Sequence, residues 1–317
     1  MALVTVVIPL YNKEEQIGRA IRSVREQTFA DWRMVVVDDG STDAGPAIVE
    51  QIEDERIEMV RQANAGPGAA RNAGAKLAES KYVAFLDADD EWYPQFLERT
   101  LEAIEEHDVA MVSATMVELP RGNDTLAILR ENGVEPGVFS FKGDEDAAQV
   151  RAIISVIRAD NNLMRTDIVR QYGGFFEQGK CVYAEDTTFL WRVMLSERFI
   201  IVGPALAVYH MEDSDLGSLT EARPLAPYLR DPNTILQYCP PEKHELVRRL
   251  LDILVLRRVR SQARYGQRLQ SFLLMLKHPG AKRYEEEYRE CLKRVVPGFE
   301  TWCRIKSRLR SLRPKRQ

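Results

Sequence analysis

The sequence has none of the features that would place a protein inside a membrane or in an oxidising compartment. Its apolar runs stay short of the roughly 20 residues that a helix needs to cross a bilayer. The N-terminal segment MALVTVVIPLYN lacks a basic leader and a small-residue cleavage site, so we interpret it as a first strand. The cysteines form no CxxC pair, which favours a reducing compartment where they serve as packing residues. We therefore expect a cytoplasmic protein. The cysteines are Cys181, Cys239, Cys291 and Cys303.

Common nucleotide-binding signatures, internal repeats and low-complexity segments are missing as well. There is no GxGxxG sequence, and no Lys-Ser or Lys-Thr follows the glycines of the loop at 64–68, which excludes a Walker loop. With 317 residues, 45% hydrophobic and 29% charged, the chain has the composition of an ordinary folded protein. Its length allows one large α/β domain with an appendage, or two modest domains.

The charges are unevenly distributed along the chain, although their sum is only −4. Residues 1–242 contain 23 Lys and Arg against 41 Asp and Glu, whereas residues 243–317 contain 21 against 7. A basic C-terminal part behind an acidic body predicts a polyanionic partner, either a membrane surface or a nucleic acid.

Alternating strand and helix signals predict an α/β fold for the first 120 residues. The β-branched runs at 4–10 and 33–39 show no polar alternation, which is typical of parallel strands covered on both faces. The segment 14–27 between them carries apolar residues at helical spacing, and the alternation continues to residue 119. This order predicts a doubly wound, mostly parallel sheet flanked by helices. Candidate N-caps for the second helix are Ser41, Thr42 and Asp43.

We divide the chain into three parts by composition. The first part, 1–120, ends at the turn-rich segment 120–124. The second, 121–224, predicts an α+β extension that ends in a polar loop at 211–224, which we expect to be mobile. The third, 225–317, becomes helical and basic.

Polar residues gather where the predicted strands end. Open parallel sheets bind ligands at the carboxyl ends of their strands, near the point where the strand order reverses. Asp87, Asp89 and Asp90 follow the apolar run KYVAFL, and three carboxylates so close together suit a divalent cation or a ribose hydroxyl. The alternative is a solvated acidic turn. Arg71 follows a Gly/Pro-rich loop, where it either neutralises a phosphate or lies on a helix surface after a tight turn.

The run from VVIPLYN through VVVDDGSTD, NAGPGAARNAG and FLDADDEW resembles the family-2 glycosyltransferases, inverting nucleotide-sugar enzymes with the GT-A fold. The resemblance covers about residues 3–120. VYAEDTTFLWRVM at 182–194 is similar to the family's ED sequence, and the rest of the second half matches only loosely. The QxxRW sequence of processive synthases is absent, which implies one sugar per acceptor. The resemblance makes 1–120 the donor-binding half, 121–224 the acceptor-binding half and 225–317 a helical extension.

The resemblance also implies roles for individual residues. Asp39 would accept a hydrogen bond from uracil, although capping of the following helix is the alternative for it. Asp87 would contact the ribose or the water shell of a metal, and Asp89 would ligate Mn²⁺ or Mg²⁺. Asp186 would be the general base, with Glu185 beside it, unless both acids only favour a helix N-terminus. The expected donor-binding set is Pro9, Tyr11, Glu14, Asp38, Asp39, Arg71, Asp87, Ala88 and Asp89.

Two aromatic side chains and the tail have open interpretations. Trp92 is either a platform for the acceptor sugar or a core residue, and His210 either completes the metal site or is structural. In the tail, Trp302, Ile305, Leu309 and Leu312 fall on one helical face, typical of a helix in a membrane interface, and 246–260 mixes Leu and Val with Arg in a similar way. The alternative is packing against protein. No sequence signature supports nucleic-acid binding.

The sequence thus predicts a metal-dependent transferase that moves a hexose from a nucleoside-diphosphate sugar, with UDP as the expected nucleotide, to a glycan or a lipid-linked saccharide in bacterial surface polysaccharide synthesis. Peripheral contact with the inner face of the cell membrane would bring it to such acceptors. The alternatives are a catalytically silent scaffold of the same fold and a sugar nucleotidyltransferase, although VIPLYNKEEQ lacks the Gly-rich loop expected of the latter.

Overall fold

The computed structural model describes residues 2–214 and 223–299. These residues form two compact units, one made of 2–214 with 223–244 and the other of 245–299. The first two predicted parts of the chain contribute strands to the same sheet. No described helix is both long enough and apolar enough to span a lipid bilayer.

In the first unit, strands and helices alternate through residue 119 as the sequence predicts, except that a two-residue strand, Glu91–Trp92, follows the strand Tyr82–Phe85 with no helix between them. Along the chain they are β1 (Val4–Leu10), α1 (Ile17–Arg25), β2 (Trp32–Asp38), α2 (Gly45–Glu50), β3 (Ile57–Arg61), α3 (Pro67–Leu77), β4 (Tyr82–Phe85), β5 (Glu91–Trp92), α4 (Phe96–His107), β6 (Met111–Leu119), β7 (Asn123–Asp124), α5 (Thr125–Glu131), β8 (Gly137–Phe139), α6 (Ala147–Ser155), β9 (Asn162–Arg165), α7 (Thr166–Gln171), α8 (Glu185–Met194), β10 (Phe199–His210), α9 (Pro227–Arg230) and α10 (Asn233–Leu236).

The described strands form one mixed sheet in the order β3-β2-β1-β4-β9-β6-β10-β5, with β7 on β6 and β8 on β10. The pairs β3–β2, β2–β1, β1–β4 and β6–β10 are parallel. The short β9 lies between β4 and β6 and is antiparallel to both. The sheet order therefore reverses at β1 and β4, and a doubly wound half continues into a mixed half.

Helices cover both faces of β1 because its side chains are apolar on both sides. Val6 and Ile8 belong to the same buried cluster as residues of α1 and α4. On the opposite face α3 comes very close, since a Cβ on Gly74 would lie 2.3 Å from Cγ1 of Val7. Glycine at position 74 therefore allows α3 to pack against β1, which fixes the loop before α3 relative to the strand ends.

The second helix is not capped in the way the sequence predicts. Its N-cap residue is Ala44, whose side chain makes no capping hydrogen bond. Asp43 instead accepts a hydrogen bond from the Gly45 N–H at 3.0 Å and another from the Glu14 N–H at 2.8 Å. The helix thus begins one to three residues later than the three candidate caps predict, and Asp43 connects it to the segment after β1.

The second unit is helical, with α11 (His244–Arg264), α12 (Arg268–Lys277) and α13 (Glu285–Val295). Most aliphatic side chains of α11 are buried, and Ile253 and Leu254 are partly buried, so the packing alternative describes the segment 246–260. Trp302, Ile305, Leu309 and Leu312 lie outside the described residues, and so does most of the predicted loop 211–224.

Candidate active site

The ends of β1, β2 and β4 are joined by backbone hydrogen bonds. The N–H of Asp39 donates to the Leu10 carbonyl at 2.8 Å, and the N–H of Leu86 donates to the Val7 carbonyl at 3.0 Å. The N–H of Gln62, at the end of β3, donates to the Asp38 carbonyl at 2.9 Å. The polar segments that follow these strands therefore start from one edge of the sheet.

Asp39 holds the loop that precedes α3. Its carboxylate accepts hydrogen bonds from the side-chain amide of Gln62 and from the backbone N–H groups of Ala65 and Gly66, each at 2.8 Å. Gly66 adopts φ of +95°, which glycine reaches without strain. Asp39 is only 3% exposed. The carboxylate that we expect to bind uracil thus also fixes the backbone of the loop before α3.

The other donor-binding candidates from β1 and β2 differ in exposure. Tyr11 is 44% exposed at the end of β1, while Pro9 within the strand is partly buried. Asp38 is buried and accepts a hydrogen bond from the Ser41 N–H at 2.9 Å. Glu14 accepts one from the Ala44 N–H at 2.8 Å, where it stabilises the start of α2. Glu14 also lines an opening of about 380 Å³ between residues 12–16 and residues 42–43.

Arg71 connects three parts of the chain that are distant in sequence. Its guanidinium lies 2.5 Å from Asp87 Oδ1, after β4, and 2.9 Å from Glu185 Oε1, at the start of α8. The side chain is 5% exposed, and the ring of Phe175 lies 5.3 Å from its Cζ. Burial alone would lower the pKa of Arg71, but the charges of Asp87, Glu185 and Asp186 raise it. Of the two roles that the sequence allows, a phosphate ligand or a helix-surface residue, the second is wrong because Arg71 is buried. The sequence does not reveal the two carboxylate partners.

The first turn of α8 carries the predicted base and its neighbour. Burial and the charge of Asp186 raise the pKa of Glu185 to about 7, against the lowering effect of Arg71. Asp186 is only partly buried, and its Oδ1 accepts hydrogen bonds from the N–H of Thr187 at 2.6 Å and from its hydroxyl at 3.2 Å. Glu185 therefore holds the helix against Arg71, and Asp186 keeps contact with solvent.

Asp89 is paired with a lysine from the segment after β1. Its Oδ2 lies 2.9 Å from Lys13 Nζ, and its backbone carbonyl accepts a hydrogen bond from Arg19. Both cations also reach Asp213, since Lys13 donates to its carbonyl at 2.7 Å and Arg19 to its carboxylate at 2.7 Å. Burial and the charge of Asp87 raise the pKa of Asp89. Ala88, the residue between the two acids, is buried.

A group of carboxylates suited to a divalent cation extends beyond the residues predicted from the sequence. Asp87, Asp90 and Asp160 each offer an oxygen, and these oxygens lie within 4.8 Å of one another. Oδ1 of Asp90 accepts a hydrogen bond from the His210 N–H at 2.8 Å, whereas its buried Oδ2 has no hydrogen-bond partner among the described residues. Burial and the charge of Asp160 raise the pKa of Asp90 well above its usual range. Oxygen ligands of this kind fit Mn²⁺ or Mg²⁺.

Trp92 and His210 are engaged with other protein groups. Trp92 is 3% exposed, stacks on Phe96 with ring centroids 4.0 Å apart, and donates its indole N–H to the Asp160 carbonyl at 2.7 Å. This is the packing of a core residue, the second of the two roles considered for it. The ring nitrogens of His210 lie 3.1 Å from Glu91 and 3.1 Å from Glu212. Metal ligation by His210 would require one of these contacts to break.

Four further residues contact the acidic residues of the site and are not among those predicted from the sequence: Lys13, Arg19, Arg158 and Asp160. Arg158 lies 3.2 Å from Asp160 and over the ring of Tyr209. Of these four, only Lys13 has a signal in the sequence. It is a basic residue shortly after β1, whereas the ends of β2 and β4 carry acids that a lysine could pair with. Asp160 precedes β9, which no pattern in the sequence predicts.

The comparison with known families agrees with this geometry. The profile described as Glycosyl transferase family 2 matches residues 5–173, just over half of the chain. The chain belongs to this family. The matched region includes the Asp87–Asp90 cluster and Asp160, and it ends before α8.

Several named glycosyltransferases resemble about a third of this chain. An uncharacterized glycosyltransferase of Nostoc sp. is 41% identical over 124 residues, 38% of each chain. The putative teichuronic acid biosynthesis glycosyltransferase TuaG of Bacillus subtilis is 42% identical over 111 residues, 34% of this chain and 44% of that protein. A UDP-Glc:α-D-GlcNAc-diphosphoundecaprenol β-1,3-glucosyltransferase of Escherichia coli, WfgD, is 35% identical over 111 residues, covering 35% and 44%. The matches thus span less than half of these relatives.

Solved structures share the fold of the glycosyltransferase over almost its full length. TarS 1–349 of S. aureus in complex with UDP-GlcNAc has a TM-score of 0.60 at 21% identity, covering 94% of this chain and 83% of that one. A mannosyltransferase from Pyrobaculum calidifontis in complex with GDP-Man and Mn²⁺ has a TM-score of 0.52 at 18% identity, covering 96% and 84%. The predicted GT-A architecture, a mixed and mostly parallel sheet flanked by helices, is confirmed.

Proposed function

We propose that this glycosyltransferase uses Mn²⁺ or Mg²⁺ and transfers one hexose, with inversion, from a UDP-sugar to a hydroxyl of a glycan or a lipid-linked saccharide. The acceptor would belong to a bacterial surface polysaccharide. The named relatives support this class of substrate, since TuaG is named for teichuronic acid biosynthesis and WfgD for transfer from UDP-Glc to a diphosphoundecaprenol-linked sugar. The absence of QxxRW supports transfer of a single sugar.

The observation that carries the proposal is the position of Arg71 between Asp87 and Glu185. One buried guanidinium joins the acidic end of β4 to the first turn of α8. Asp87, which we expect to face the donor, and Glu185, the neighbour of the expected base Asp186, therefore lie on two sides of the same cation. In sequence, 98 residues separate Asp87 from Glu185, so no local pattern requires this contact.

Asp186 is the proposed base. A carboxylate near the acceptor accepts the hydroxyl proton while the acceptor oxygen attacks the anomeric carbon and the bond to the diphosphate breaks. A single attack from the face opposite the leaving group inverts the configuration. Thr187 fixes Oδ1 of Asp186 through two hydrogen bonds, which orients the carboxylate before the acceptor arrives.

The acidic cluster would hold the cation, and the segments after β1 and β2 would hold the nucleoside. Asp87 and Asp89 remain the proposed ligands, and Asp90 and Asp160 each offer an oxygen within 4.8 Å of one on Asp87. The Oδ2 of Asp90 has no hydrogen-bond partner among the described residues. A divalent cation at this place offsets the negative charge of a diphosphate leaving group. Asp39 would contact the base, and Tyr11 is exposed beside it.

Release of UDP from a panel of UDP- and GDP-sugars tests the proposal, in the presence of Mn²⁺, Mg²⁺ or a chelator and with glycan and lipid-linked acceptors. We expect release from UDP-hexoses that depends on the cation. Asp186→Asn should lower kcat by at least about 100-fold, because the acceptor loses its base, and should leave the affinity for UDP unchanged by calorimetry. The matched control is Asp167→Asn, an exposed acid in the first turn of α7.

The outcomes separate the alternatives. Full activity of Asp186→Asn removes this residue as the base. UDP release that is indifferent to the chelator removes the cation from the proposal. Binding of UDP without turnover of any donor supports a silent protein of the same fold, and consumption of a nucleoside triphosphate with a sugar phosphate supports a nucleotidyltransferase.

A further inference from the structure

The second unit presents a row of exposed leucines on α12. Leu269, Leu273 and Leu276 are 69%, 49% and 58% exposed. Their spacing of four and three residues places them on one face of the helix. The opposite face is buried through Leu274 and Met275, so α12 packs against its unit on one side and carries an apolar surface on the other. This leucine face is the largest group of exposed aliphatic side chains among the described residues of the unit.

The leucine face lies in a segment of uniform positive charge. Residues 253–284 contain eight Arg and Lys and no Asp or Glu. Four of these basic residues are exposed near the two ends of α12. An apolar row between exposed cations is the pattern of a helix that lies in a membrane interface, with its apolar side chains among acyl chains and its cations at headgroups. The four are Arg264, Arg268, Lys277 and Lys282.

Charge argues against the other possible occupants of this face. A second copy of the chain that packed symmetrically through the same face would bring the same basic segment 253–284 against it. The C-terminal residues 300–317 carry seven Arg and Lys and one Glu, so they are repelled as well. A nucleic acid supplies negative charge, but its phosphate backbone offers no apolar medium for three leucines. An anionic lipid surface supplies both.

We propose that α12 docks this glycosyltransferase onto anionic membranes by inserting Leu269, Leu273 and Leu276 between lipid headgroups. The proposal refines the membrane contact suggested by a lipid-linked acceptor, because it transfers that contact from the segment 246–260 to α12. None of the aliphatic side chains of α11 is exposed: most are buried, and Ile253 and Leu254 are partly buried. The docking rests on charge and exposure within the second unit, and its test needs no sugar transfer.

Flotation of the full-length protein with lipid vesicles tests the docking. We expect binding to vesicles of phosphatidylglycerol and phosphatidylcholine, and weak binding to phosphatidylcholine alone. The triple variant Leu269→Gln, Leu273→Gln, Leu276→Gln should lower the partition coefficient for the anionic vesicles by at least about tenfold. The reason is that three side chains lose the apolar contact they would make with acyl chains in the bound state. Since all three are exposed, the variant should unfold at the same urea concentration as the wild type. The matched control is Leu77→Gln, an exposed helical leucine of the first unit.

A second measurement reports insertion directly. With Leu273→Trp, brominated lipids should quench the added fluorescence on binding, whereas Leu77→Trp should show no added quenching. The proposal is overturned if the wild type ignores anionic vesicles, or if the triple variant binds them as tightly as the wild type. It is also overturned if an oligonucleotide of the same charge density competes fully, or if the triple substitution abolishes a dimer in light scattering instead of vesicle binding. Asp186→Asn should bind vesicles normally, so failure of docking and failure of the transferase assignment can be told apart.

Discussion

Replacement of Arg71 by Met removes the only guanidinium that the described structure places between Asp87 and Glu185. The methionine keeps much of the volume but leaves two carboxylates without their cation at 2.5 Å and 2.9 Å. Asp87 is 21% exposed and is partly solvated by water, whereas Glu185 is 8% exposed. Breaking a buried ion pair from one side costs about 3 to 5 kcal/mol of unfolding free energy. We expect a loss of this size near neutral pH.

The loss of unfolding free energy should depend on pH, and the direction of that dependence follows from the pKa of Glu185. The pKa of its carboxyl group is about 7 in the folded protein against an ordinary value of 4.5. The folded state thus favours the protonated form, and this contribution to stability is complete below about pH 4.5 and falls away as the pH rises to about 7. Arg71 lowers this pKa. Without Arg71 the pKa rises further, so the variant keeps losing stability above pH 7 while the wild type does not. The difference in unfolding free energy between wild type and variant should therefore widen by up to about 1.4 kcal/mol per pH unit.

Urea unfolding followed by tryptophan fluorescence, at several values between about pH 6 and pH 9, measures this gap. The second substitution Glu185→Gln in the Arg71→Met background should remove the widening, because glutamine does not titrate. Arg99→Met serves as the control, since Arg99 is exposed and lies 3.6 Å from the exposed Glu102, a pair that contributes about 1 kcal/mol or less. A gap that stays constant from about pH 7 to pH 9, or a loss below about 1 kcal/mol, would refute the reasoning.

Two further predictions concern the first unit. Gly74→Ala should lower the unfolding free energy by about 1 to 3 kcal/mol, because the new Cβ would lie 2.3 Å from a methyl group of Val7. Gly18→Ala, whose new Cβ meets no atom within 4 Å, should instead raise it by about 0.5 to 1 kcal/mol. Equal urea midpoints for the two variants would contradict this contrast. Asp39→Asn should lower the unfolding free energy by about 1 to 3 kcal/mol and weaken UDP binding in calorimetry. The reason is that an amide nitrogen would face one of the N–H donors that now bond the carboxylate. An unchanged urea midpoint and an unchanged affinity for UDP would show that the loop does not need Asp39.

The fold was predictable wherever the side-chain pattern is local. The runs at 4–10 and 33–39 are β1 and β2 within a residue, because strands covered on both faces need apolar side chains at every position. Glu185 and Asp186 do lie at a helix N-terminus, since they form the first turn of α8, Glu185–Met194. By contrast, β9 has four residues and pairs with strands about 50 and 80 positions earlier in the chain. Nothing in NLMR distinguishes it from a loop, so the antiparallel half of the sheet had to be observed.

The candidate site was predictable as a set of strand ends and not as a set of contacts. Acids after β2 and β4 are visible in the sequence because their edge of the sheet follows from the strand order. Whether Asp39 faces a ligand or its own loop depends on the donors of 62–66, which a pattern does not reveal. The same holds for Lys13 on Asp89, and for Asp160 next to Asp90, since these pairs form across segments that meet only in the folded chain.

The insertion of β9 between β4 and β6 has a consequence for how the protein can be divided. Translation delivers β4 by residue 85 and β6 by residue 119, but the strand that separates them appears only at 162–165. Until then β4 keeps an unpaired edge, and such edges recruit strands from other molecules. A fragment cut near residue 120 would retain every acid of FLDADDEW and yet expose this edge, so it should aggregate rather than serve as a minimal nucleotide-binding module. The family profile, which reaches residue 173, contains the missing strand.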